Sequence, residues 1–326
     1  MYTNTDAEIR PELQAVVEEA FLADSYFIAS QIMPVWMTGN KYGEFRKIKK
    51  ASGQLLASDL GDSTVRAPRT AYKEVERTYE KDRFFCTDRG LTEVVDDSDA
   101  LDIKRFFDAE ATASKLLQRN MAIAYEKRVA DLMFAPGIWG SKDASSPYTE
   151  ANIAGLDVAR DIEDAIARVQ KRGEMVNTVI MSRNVWKTIR RSTLLRKYLY
   201  GDMGGNKAIG KGEFATAFSE SAQVSVLIAE SSFSIAKRGG VVDDSKLAYC
   251  WGDDYIWIGA VAGGDPNAGG AGRTMVWEED AGSLFVVETF RDELRRSDVI
   301  RVRQHTDEKI INENSGTLIK TGYVAS

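Results

Sequence analysis

The residues that come closest to a known chemical motif lie in a glycine-rich segment at 205–212, which reads GNKAIGKG. A phosphate-binding P-loop needs Ser or Thr after its lysine and a buried strand before its first glycine. Here Gly212 follows Lys211, and the polar residues before the segment have a helical pattern. A second glycine-rich segment, 263–272, precedes a strand pattern, whereas a dinucleotide site needs a helix N-terminus there. We therefore predict glycine loops at both places and no cofactor.

The single histidine, His305, is the residue to test for acid–base catalysis, because its side chain titrates near neutral pH. Ser297 and Asp298 precede it and complete the residue types of a catalytic triad, but no G-x-S-x-G turn marks a nucleophile. Acidic pairs, which could bind magnesium or calcium, stand where turns are expected and lack EF-hand spacing: Asp96-Asp97, Asp243-Asp244 and Asp253-Asp254. The sequence therefore predicts no catalytic residue and no metal site.

The composition is that of an ordinary globular protein that does not bind nucleic acid tightly. The 326 residues carry a net charge of -6, whereas proteins that grip nucleic acid are usually basic. Cys86 and Cys250 are far apart, as expected of free thiols in a reducing cytosol. We find neither a signal peptide nor an apolar run of the roughly 20 residues that a membrane helix needs. The expectation is a protein made and kept in a cytoplasm, without a membrane partner.

Residues 35–95 differ from the rest of the chain because apolar and charged positions alternate there. Two runs, 41–50 and 69–85, are predicted to form long strands joined by a flexible tip. Basic residues are concentrated in this region, with acids between them that weaken their field: Lys41, Arg46, Lys47, Lys49, Lys50, Arg66 and Arg69. This favours a solvated or inter-subunit strand pair over a nucleic-acid surface. A long polar hairpin is marginal by itself, so we expect it to rest on another surface, and a second subunit is one candidate.

The strongest secondary-structure pattern is that of one long helix over 98–135. Apolar residues recur at spacings of three and four from Ile103 to Met133, and Pro136-Gly137 ends the pattern. Such a helix is about 55 Å long and has a broad apolar face, which favours packing on a sheet over a coiled coil. Residues 1–34 form an acidic arm with a short helix after Pro11. The arm packs either on the protein's own core or on a neighbouring subunit.

Helix and strand patterns alternate in the remainder of the chain. Helices are predicted at 157–173, 183–199 and 210–220. Strands are predicted at 176–182, 223–232 and 246–263, the last of them broken at Gly252-Asp253. Further strands with turns between them are predicted from 273 onward.

This order of elements resembles the major capsid protein fold of tailed double-stranded-DNA phages, the Hong Kong 97 type, which bacterial encapsulins share. The segment NTVIMSRNVWKTIRRSTLLRKYL (177–199) looks like the family's passage from an apolar strand to a helix, and RRSDVIRVRQHTDEKIINENSGTLI (295–319) is similar to its C-terminal ending. The resemblance implies an α+β fold with an N-terminal arm, an E-loop hairpin, a P-domain with a long spine helix, and an A-domain. The predicted segments are 1–34 (arm), 35–95 (E-loop), 96–155 (P-domain with spine helix), 156–273 (A-domain) and 274–326 (C-terminal strands of the P-domain).

The resemblance also implies a structural, non-enzymatic protein that assembles as hexamers and pentamers into an icosahedral head shell. The shell would enclose double-stranded DNA without sequence-specific binding, and it would be located in the virion after assembly in the host bacterial cytoplasm. No long charged propeptide precedes the arm, so a separate scaffolding protein is expected unless the shell assembles without one; a portal and a decoration protein are further expected partners. Contacts between subunits are expected from hairpin residues: Phe45, Arg46, Lys49, Arg66, Arg69 and Tyr72. Some family members cross-link a lysine of the E-loop to an asparagine of the P-domain. We do not predict such a cross-link for Asn312 or Asn314 of this chain.

Three alternatives stay open. The closest is an encapsulin-type compartment, in which the same fold encloses a cargo enzyme. An α/β enzyme built on residues 157–262 is disfavoured by the single histidine and by the absence of an intact catalytic motif. An adhesin or other surface fibre is disfavoured by the cytoplasmic type of N-terminus and by the lone long helix.

Overall fold

A computed structural model of the chain describes residues 8–9, 26–48, 65–72, 79–97, 109–201, 207–218, 224–237, 240, 243–262 and 270–323. These residues form two sheets with helices packed on them, together with a separate two-stranded hairpin. The architecture is α+β, as predicted. The expected helix after Pro11 lies outside the described residues.

The spine helix α2, Ala109–Met133, confirms the long predicted helix over this range, and residues 98–108 lie outside the described part of the chain. Its 25 residues include no Gly or Pro and span about 37 Å. The helix ends before Pro136, which begins the short helix α3, Pro136–Trp139, because the fixed φ of proline suits a first helical turn. A further short helix, α1, Ala29–Ile32, precedes it in the chain.

The spine helix lies on a largely antiparallel sheet organised around one long central strand. In spatial order the strands are β1 (Glu8–Ile9), β13 (Val286–Asp292), β14 (Ser297–Ile310), β12 (Gly272–Trp277) and β2 (Val35–Thr38), with β5 (Thr87–Asp96) on the other side of β14. The short helix α8, Glu278–Ala281, follows β12. The strand β14 is central because β13 and β12 pair with successive parts of one edge while β5 pairs with the opposite edge.

The apolar face of the spine helix meets the alternating residues of β14. Ala113, Leu117 and Met121 recur every four residues and pack with Ile300 and Val302 in one core. Because successive side chains of a strand point to opposite faces, Arg301 between these two β14 positions, and Arg303 after them, lie on the sheet face away from the helix. This division of β14 explains how one strand carries both core residues and a charged network.

A buried carboxylate, Glu126, joins three parts of the chain at the centre of the molecule. Its oxygens accept hydrogen bonds from the backbone N–H groups of Ile28 (3.2 Å) and Ala29 (2.9 Å) and from Trp251 Nε1 (2.7 Å). Burial raises the pKa of this carboxyl above its usual value, although hydrogen bonds from Trp251, Ala29 and Ile28 act against the shift. Glu126 therefore ties the segment before α1 and the loop at Trp251 to the spine helix.

The second sheet contains both parallel and antiparallel pairs. Its strands are, in order, β6 (Ser141–Asp143), β15 (Gly316–Lys320), β11 (Tyr255–Gly259), β7 (Thr178–Ser182) and β8 (Ser225–Ala229). Helices on its faces are α4 (Val158–Gln170), α5 (Arg183–Ile189), α6 (Thr193–Tyr200) and α7 (Lys211–Ala217). A small ribbon of β9 (Ser232–Ser234) and β10 (Leu247–Tyr249) and three 3-10 turns complete this region: Glu150–Asn152, Asp244–Lys246 and Glu313–Ser315.

The segment 183–199 is helical as predicted, but it is divided into α5 and α6. Ser182 Oγ accepts a hydrogen bond from Val185 N at the start of α5, and Ser192 Oγ accepts one from Leu195 N at the start of α6. A serine cap satisfies the free N–H groups of a new helix start, so Ser192 sets the break. Both helices still pack on the second sheet through Trp186 and Leu195.

The hairpin consists of β3, Tyr42–Ile48, paired antiparallel with β4, Tyr79–Phe85. The predicted second strand, 69–85, is wrong at its start, because residues 65–72 contain a turn at Pro68-Arg69. Arg69 has a φ of 67°, in the left-handed region that strands exclude, and Thr70 N donates to Ala67 O. Residues 49–64 and 73–78 lie outside the described part, so the tip itself is not characterised.

The sheets do not follow the predicted segments at every point. The strands β2 and β5 fall within the predicted E-loop segment 35–95 but belong to the sheet under the spine helix. The strand β15 falls within 274–326 but lies in the second sheet, between β6 and β11. The division of the chain into five segments stays a prediction.

Candidate assembly surfaces

The P-loop-like segment has a structural role in the part that is described, residues 207–212. Helix α6, not a strand, precedes it in the chain, and Lys211 and Gly212 form the first turn of α7. Glu213 accepts hydrogen bonds from Lys207 Nζ (2.5 Å) and from Gly210 N (2.9 Å). The contact with Lys207, followed by those with Tyr200 and Gly210, lowers the pKa of Glu213 to about 2. Lys211, which stands at the lysine position of the P-loop pattern, is therefore the first residue of a helix whose start is capped by Glu213.

The three residue types of a catalytic triad are not brought together around His305. Ser297 is eight positions away on the same extended strand, which corresponds to about 26 Å. His305 is 4% exposed, and its Nδ1 lies 2.6 Å from Asp280 Oδ2 instead. Asp298 contacts Arg291 at 3.2 Å. The arrangement therefore holds a buried imidazole in place without presenting a nucleophile to it.

His305 belongs to a charged network on the sheet face away from the spine helix. Glu288 accepts hydrogen bonds from Arg303 Nε (2.7 Å) and Arg301 Nε (2.9 Å), and Arg303 also pairs with Asp280. Burial alone would raise the pKa of Asp280, but its hydrogen bonds from His305 and Arg303 lower it below the usual value. The charges of the two arginines and the two carboxylates compensate each other, so the network stabilises the pairing of neighbouring strands.

Each acidic pair includes a carboxylate with a partner of its own. The expectation that all three pairs lie in turns is wrong for Asp96, which is the last residue of β5. Asp97 forms a two-pronged contact with Arg291 at 2.6 and 2.7 Å. Asp253 accepts from Ser182 Oγ at 2.5 Å and from Asn184 Nδ2 at 2.9 Å, and Asp243 accepts from Ser245 Oγ at 2.5 Å. Across the described ranges, no group of three His, Cys, Asp or Glu side chains could hold a metal ion. No helix in those ranges is both long and apolar enough to cross a membrane.

The hairpin has two distinct faces, which follow from the strand alternation. On its inner face, Phe45 and Lys47 are half-buried, and Lys47 Nζ lies 2.7 Å from Glu313 Oε1 of the 3-10 turn before β15. On its outer face the exposed residues are Tyr42, Glu44, Arg46, Lys81, Arg83 and Phe85. The base is fixed to the main sheet, because Phe85 N donates to Asp307 Oδ2 at 2.8 Å. The hairpin thus touches its own subunit on one face and leaves the other to solvent.

The predicted contact residues are divided between these two faces and the following turn. Arg46 lies on the outer face, opposite Lys81, whereas Phe45 lies on the inner face. Arg66 and Tyr72 are exposed and contact each other, with the guanidinium carbon 4.7 Å from the ring centre. Arg69 is exposed in its turn, and Lys49 lies outside the described residues. Their role between subunits stays a prediction.

The most exposed apolar groups of the outer face are two aromatic residues outside the predicted set of contact residues. Tyr42 and Phe85 are 72% and 56% exposed and stand directly opposite each other in the strand register. A cross-strand aromatic pair open to solvent is a typical anchor for a protein partner. Phe84 and Phe85 are adjacent in a strand, so their side chains lie on opposite faces and one of them faces outward. The sequence therefore already indicates an outward-facing aromatic residue at this place.

Known structures show the same fold. A phage-related protein from Bordetella bronchiseptica is similar to this chain with a TM-score of 0.68 and 17% identity, over 98% of both chains. A virus-like particle from Pyrococcus furiosus has a TM-score of 0.57 and 10% identity over 95% of this chain and 98% of its own. The capsid of a native GTA particle has a TM-score of 0.56 and 12% identity, over 92% of this chain and 91% of its own.

No family model matches the sequence, and no curated protein matches it. The structural similarities nevertheless extend over nearly the whole chain. They confirm the predicted α+β fold of the Hong Kong 97 type.

Proposed function

We propose that this protein is a major capsid protein, which assembles as hexamers and pentamers into an icosahedral head shell around phage double-stranded DNA. The observation that carries the proposal is the coincidence of a capsid fold over nearly the whole chain with an exposed outer hairpin face. A shell needs surfaces that contact other copies, and closed symmetry adds many modest contacts into a stable container. Tyr42 and Phe85 have the exposure that such a contact requires.

The chain's role is association and not catalysis. His305, the residue with catalytic potential, is buried and engaged by Asp280. The net charge of -6 suits a container that encloses DNA without sequence-specific binding, because it does not hold the polyanion by charge. A separate scaffolding protein, a portal and a decoration protein are the expected partners. The virion is the expected location, after assembly in the host bacterial cytoplasm.

The alternative is an encapsulin-type compartment that encloses a cargo enzyme. It is supported by the similarity to a virus-like particle, which has a lower TM-score than the similarity to the phage-related protein. Both functions predict a closed shell, and they differ only in what the shell contains.

Electron microscopy of the purified protein tests the proposal. The protein is expressed alone and then together with the products of its neighbouring genes. We expect uniform closed particles, or hexamers and pentamers that close when a scaffold is added. DNA inside particles made with the neighbouring genes supports the capsid function, and a folded enzyme inside them supports the compartment. A monodisperse monomer or dimer under every condition would contradict both.

A further inference from the structure

Two neighbouring arginines at the end of helix α4 have no direct acidic partner. Arg168 lies in the last turn of the helix and Arg172 lies in the turn that follows Gln170, near enough for the charge of Arg172 to act on Arg168. Both are half-buried, and neither forms an ion pair within the described part of the chain. The Nε of Arg168 is shielded from solvent and has no hydrogen-bond partner there. Arg172 Nη1 donates to the backbone oxygen of Gly316 at 2.9 Å.

The nearest carboxylates on this side of α4 are already engaged. Asp164 Oδ2 lies 3.3 Å from Lys142 Nζ. Asp161 accepts hydrogen bonds from Ser145 N (2.9 Å), Ser145 Oγ (3.1 Å) and Tyr148 OH (3.2 Å). Burial lowers the pKa of both arginines. For Arg168 the charge of Arg172 lowers the pKa further, and the charges of Asp164 and Asp161 offset this only in part. The single subunit therefore holds two like charges that are partly removed from water and form no direct ion pair within the described residues.

We propose that the Arg168–Arg172 pair is a contact site between subunits that receives a carboxylate from a second copy of this chain. The inference rests on the proposed shell function and assigns one of its interfaces. A guanidinium presents parallel N–H donors that match the two oxygens of a carboxylate, and half-burial strengthens such a contact. Assembly would supply the negative charge that the isolated subunit lacks at this place.

A carboxylate of another copy fits the site better than a DNA phosphate does. The chain has 49 acidic and 43 basic residues, so each copy carries a surplus of carboxylates. DNA contacts use a series of exposed cations along a polyanion. Here the arginines are recessed, and Glu163 and Asp164 are exposed on the same helix, where they would repel neighbouring phosphates. A single carboxylate can contact the arginines without lying next to Glu163 and Asp164, whereas a row of phosphates cannot.

The first test compares two charge-matched double variants of the full chain. In the test variant, Arg168→Gln and Arg172→Gln remove the half-buried pair. In the control, Arg160→Gln and Lys171→Gln remove the same charge from exposed positions on or just after the same helix. Melting temperature is measured on unassembled protein, and the threshold concentration for shell formation is measured by light scattering and electron microscopy.

We expect opposite effects on folding and assembly in the test variant. The melting temperature of the subunit stays the same or rises, because an uncompensated charge pair has been removed. The assembly threshold rises about tenfold or more, the value of one lost charge-assisted contact. The control shifts the threshold by less than about threefold, as expected of exposed charges. An unchanged threshold in the test variant, while wild-type protein forms shells, overturns this inference and leaves the shell function intact. If wild-type protein forms no shells, both proposals fail.

The second test identifies the partner. In the variant Arg168→Lys, the new amine can be joined by a zero-length carbodiimide to any carboxylate in contact with it. Shells assembled from mixed heavy-isotope and unlabelled subunits then show by mass spectrometry whether the link joins two copies. A mixed-label peptide pair containing position 168 and an Asp or Glu supports the proposal. Links to Asp164 of the same copy only, or shells of normal threshold with reduced DNA content, contradict it, and the latter would identify a phosphate as the ligand.

Discussion

The spine-helix core and the hairpin differ in how fully their side chains are covered. In the core, Leu117 is 6% exposed and packs with Ile300 and Val302 of β14. In the hairpin, Tyr42 and Phe85 are 72% and 56% exposed, and within the described part of the chain its two strands pair with each other alone. The core is therefore packed within one subunit, whereas the hairpin has an exposed outer face. We interpret that face as a surface for a neighbouring copy.

Energetic scales support this division. Fully burying an aliphatic side chain contributes about 1.5–3 kcal/mol, so the residues between the spine helix and β14 account for much of the subunit's stability. A two-stranded hairpin is marginal without further support. The hairpin has some, through Lys47 and Glu313 on its inner face and through Phe85 N and Asp307 at its base. Changes in the core should therefore act on folding, and changes on the outer hairpin face should act on assembly.

The largest effect is expected from Leu117→Asp. The substitution buries a charge without a partner between the spine helix and the sheet, and it should cost about 4 kcal/mol or more and leave the protein insoluble. Leu116→Asp is the matched control, because Leu116 is the next residue of the helix and is 52% exposed. Soluble expression and circular dichroism measure the outcome. A soluble, folded L117D protein would count against the core as described.

Removing the exposed aromatic pair should abolish assembly without unfolding the subunit. For the double variant Tyr42→Ser and Phe85→Ser, we expect the free energy of unfolding to change by less than about 1 kcal/mol. The assembly threshold should rise about thirtyfold or more, as for two lost interface anchors. Met175→Ser with Leu294→Ser, at residues that are 84% and 80% exposed elsewhere, is the control. Equal thresholds for the two double variants would show that exposure alone does not mark the interface.

A smaller effect on assembly is expected from charge reversal at two exposed arginines, Arg46 of the outer face and Arg69 of the turn at Pro68-Arg69. Arg46→Glu with Arg69→Glu should permit folding, because both side chains are exposed, and should raise the assembly threshold about threefold to tenfold at low salt. The effect should shrink as salt is added, since exposed charges are screened. Light scattering at graded salt concentrations measures it. Normal shells from this variant would remove the hairpin's charges from the interface.

An effect on folding alone, with no effect on the assembly threshold, is expected from Glu126→Gln. The amide nitrogen would face an N–H donor, which should destabilise the subunit by about 1–2 kcal/mol. In the folded state the pKa of Glu126 is raised above its usual value of 4.5. At pH values between 4.5 and the raised pKa, unfolding therefore releases a proton, and the free energy of unfolding of the wild-type protein falls as pH rises. The variant lacks this dependence. Urea unfolding measures the free energy of unfolding of both proteins. The difference in this free energy between wild type and variant should become smaller as pH rises, and a constant difference would contradict the raised pKa.

The sequence predicted the features that depend on local spacing. The spine helix was predictable because its apolar residues recur at three and four positions, and a strand at 42–48 was predictable from its alternation. The turn at Pro68-Arg69 was missed, because the residues after it continue an apparent strand pattern. Alternation also shows that Tyr42 and Arg46 share a face but not which face is covered. That is decided by Glu313, far along the chain.

The same limit applies to single charged residues. Glu126 interrupts an apolar stripe, and the sequence gives no sign that Ile28, Ala29 and Trp251 supply its hydrogen bonds. The sequence also does not show that Arg168 lacks an ion pair with Asp164, four residues before it. Asp164 pairs instead with Lys142 of β6, a contact between separate elements. Such features come from contacts between distant segments, which local patterns do not contain.

The role of the outer hairpin face is tested by hydrogen exchange of backbone amides, compared between unassembled subunits and closed shells. We expect amides of the spine helix and β14 to be equally protected in both forms. Amides of 42–48 and 79–85 should be weakly protected in the subunit and strongly protected in the shell. Equal protection of the hairpin in the two forms would contradict the claim that its outer face is completed by a neighbouring copy.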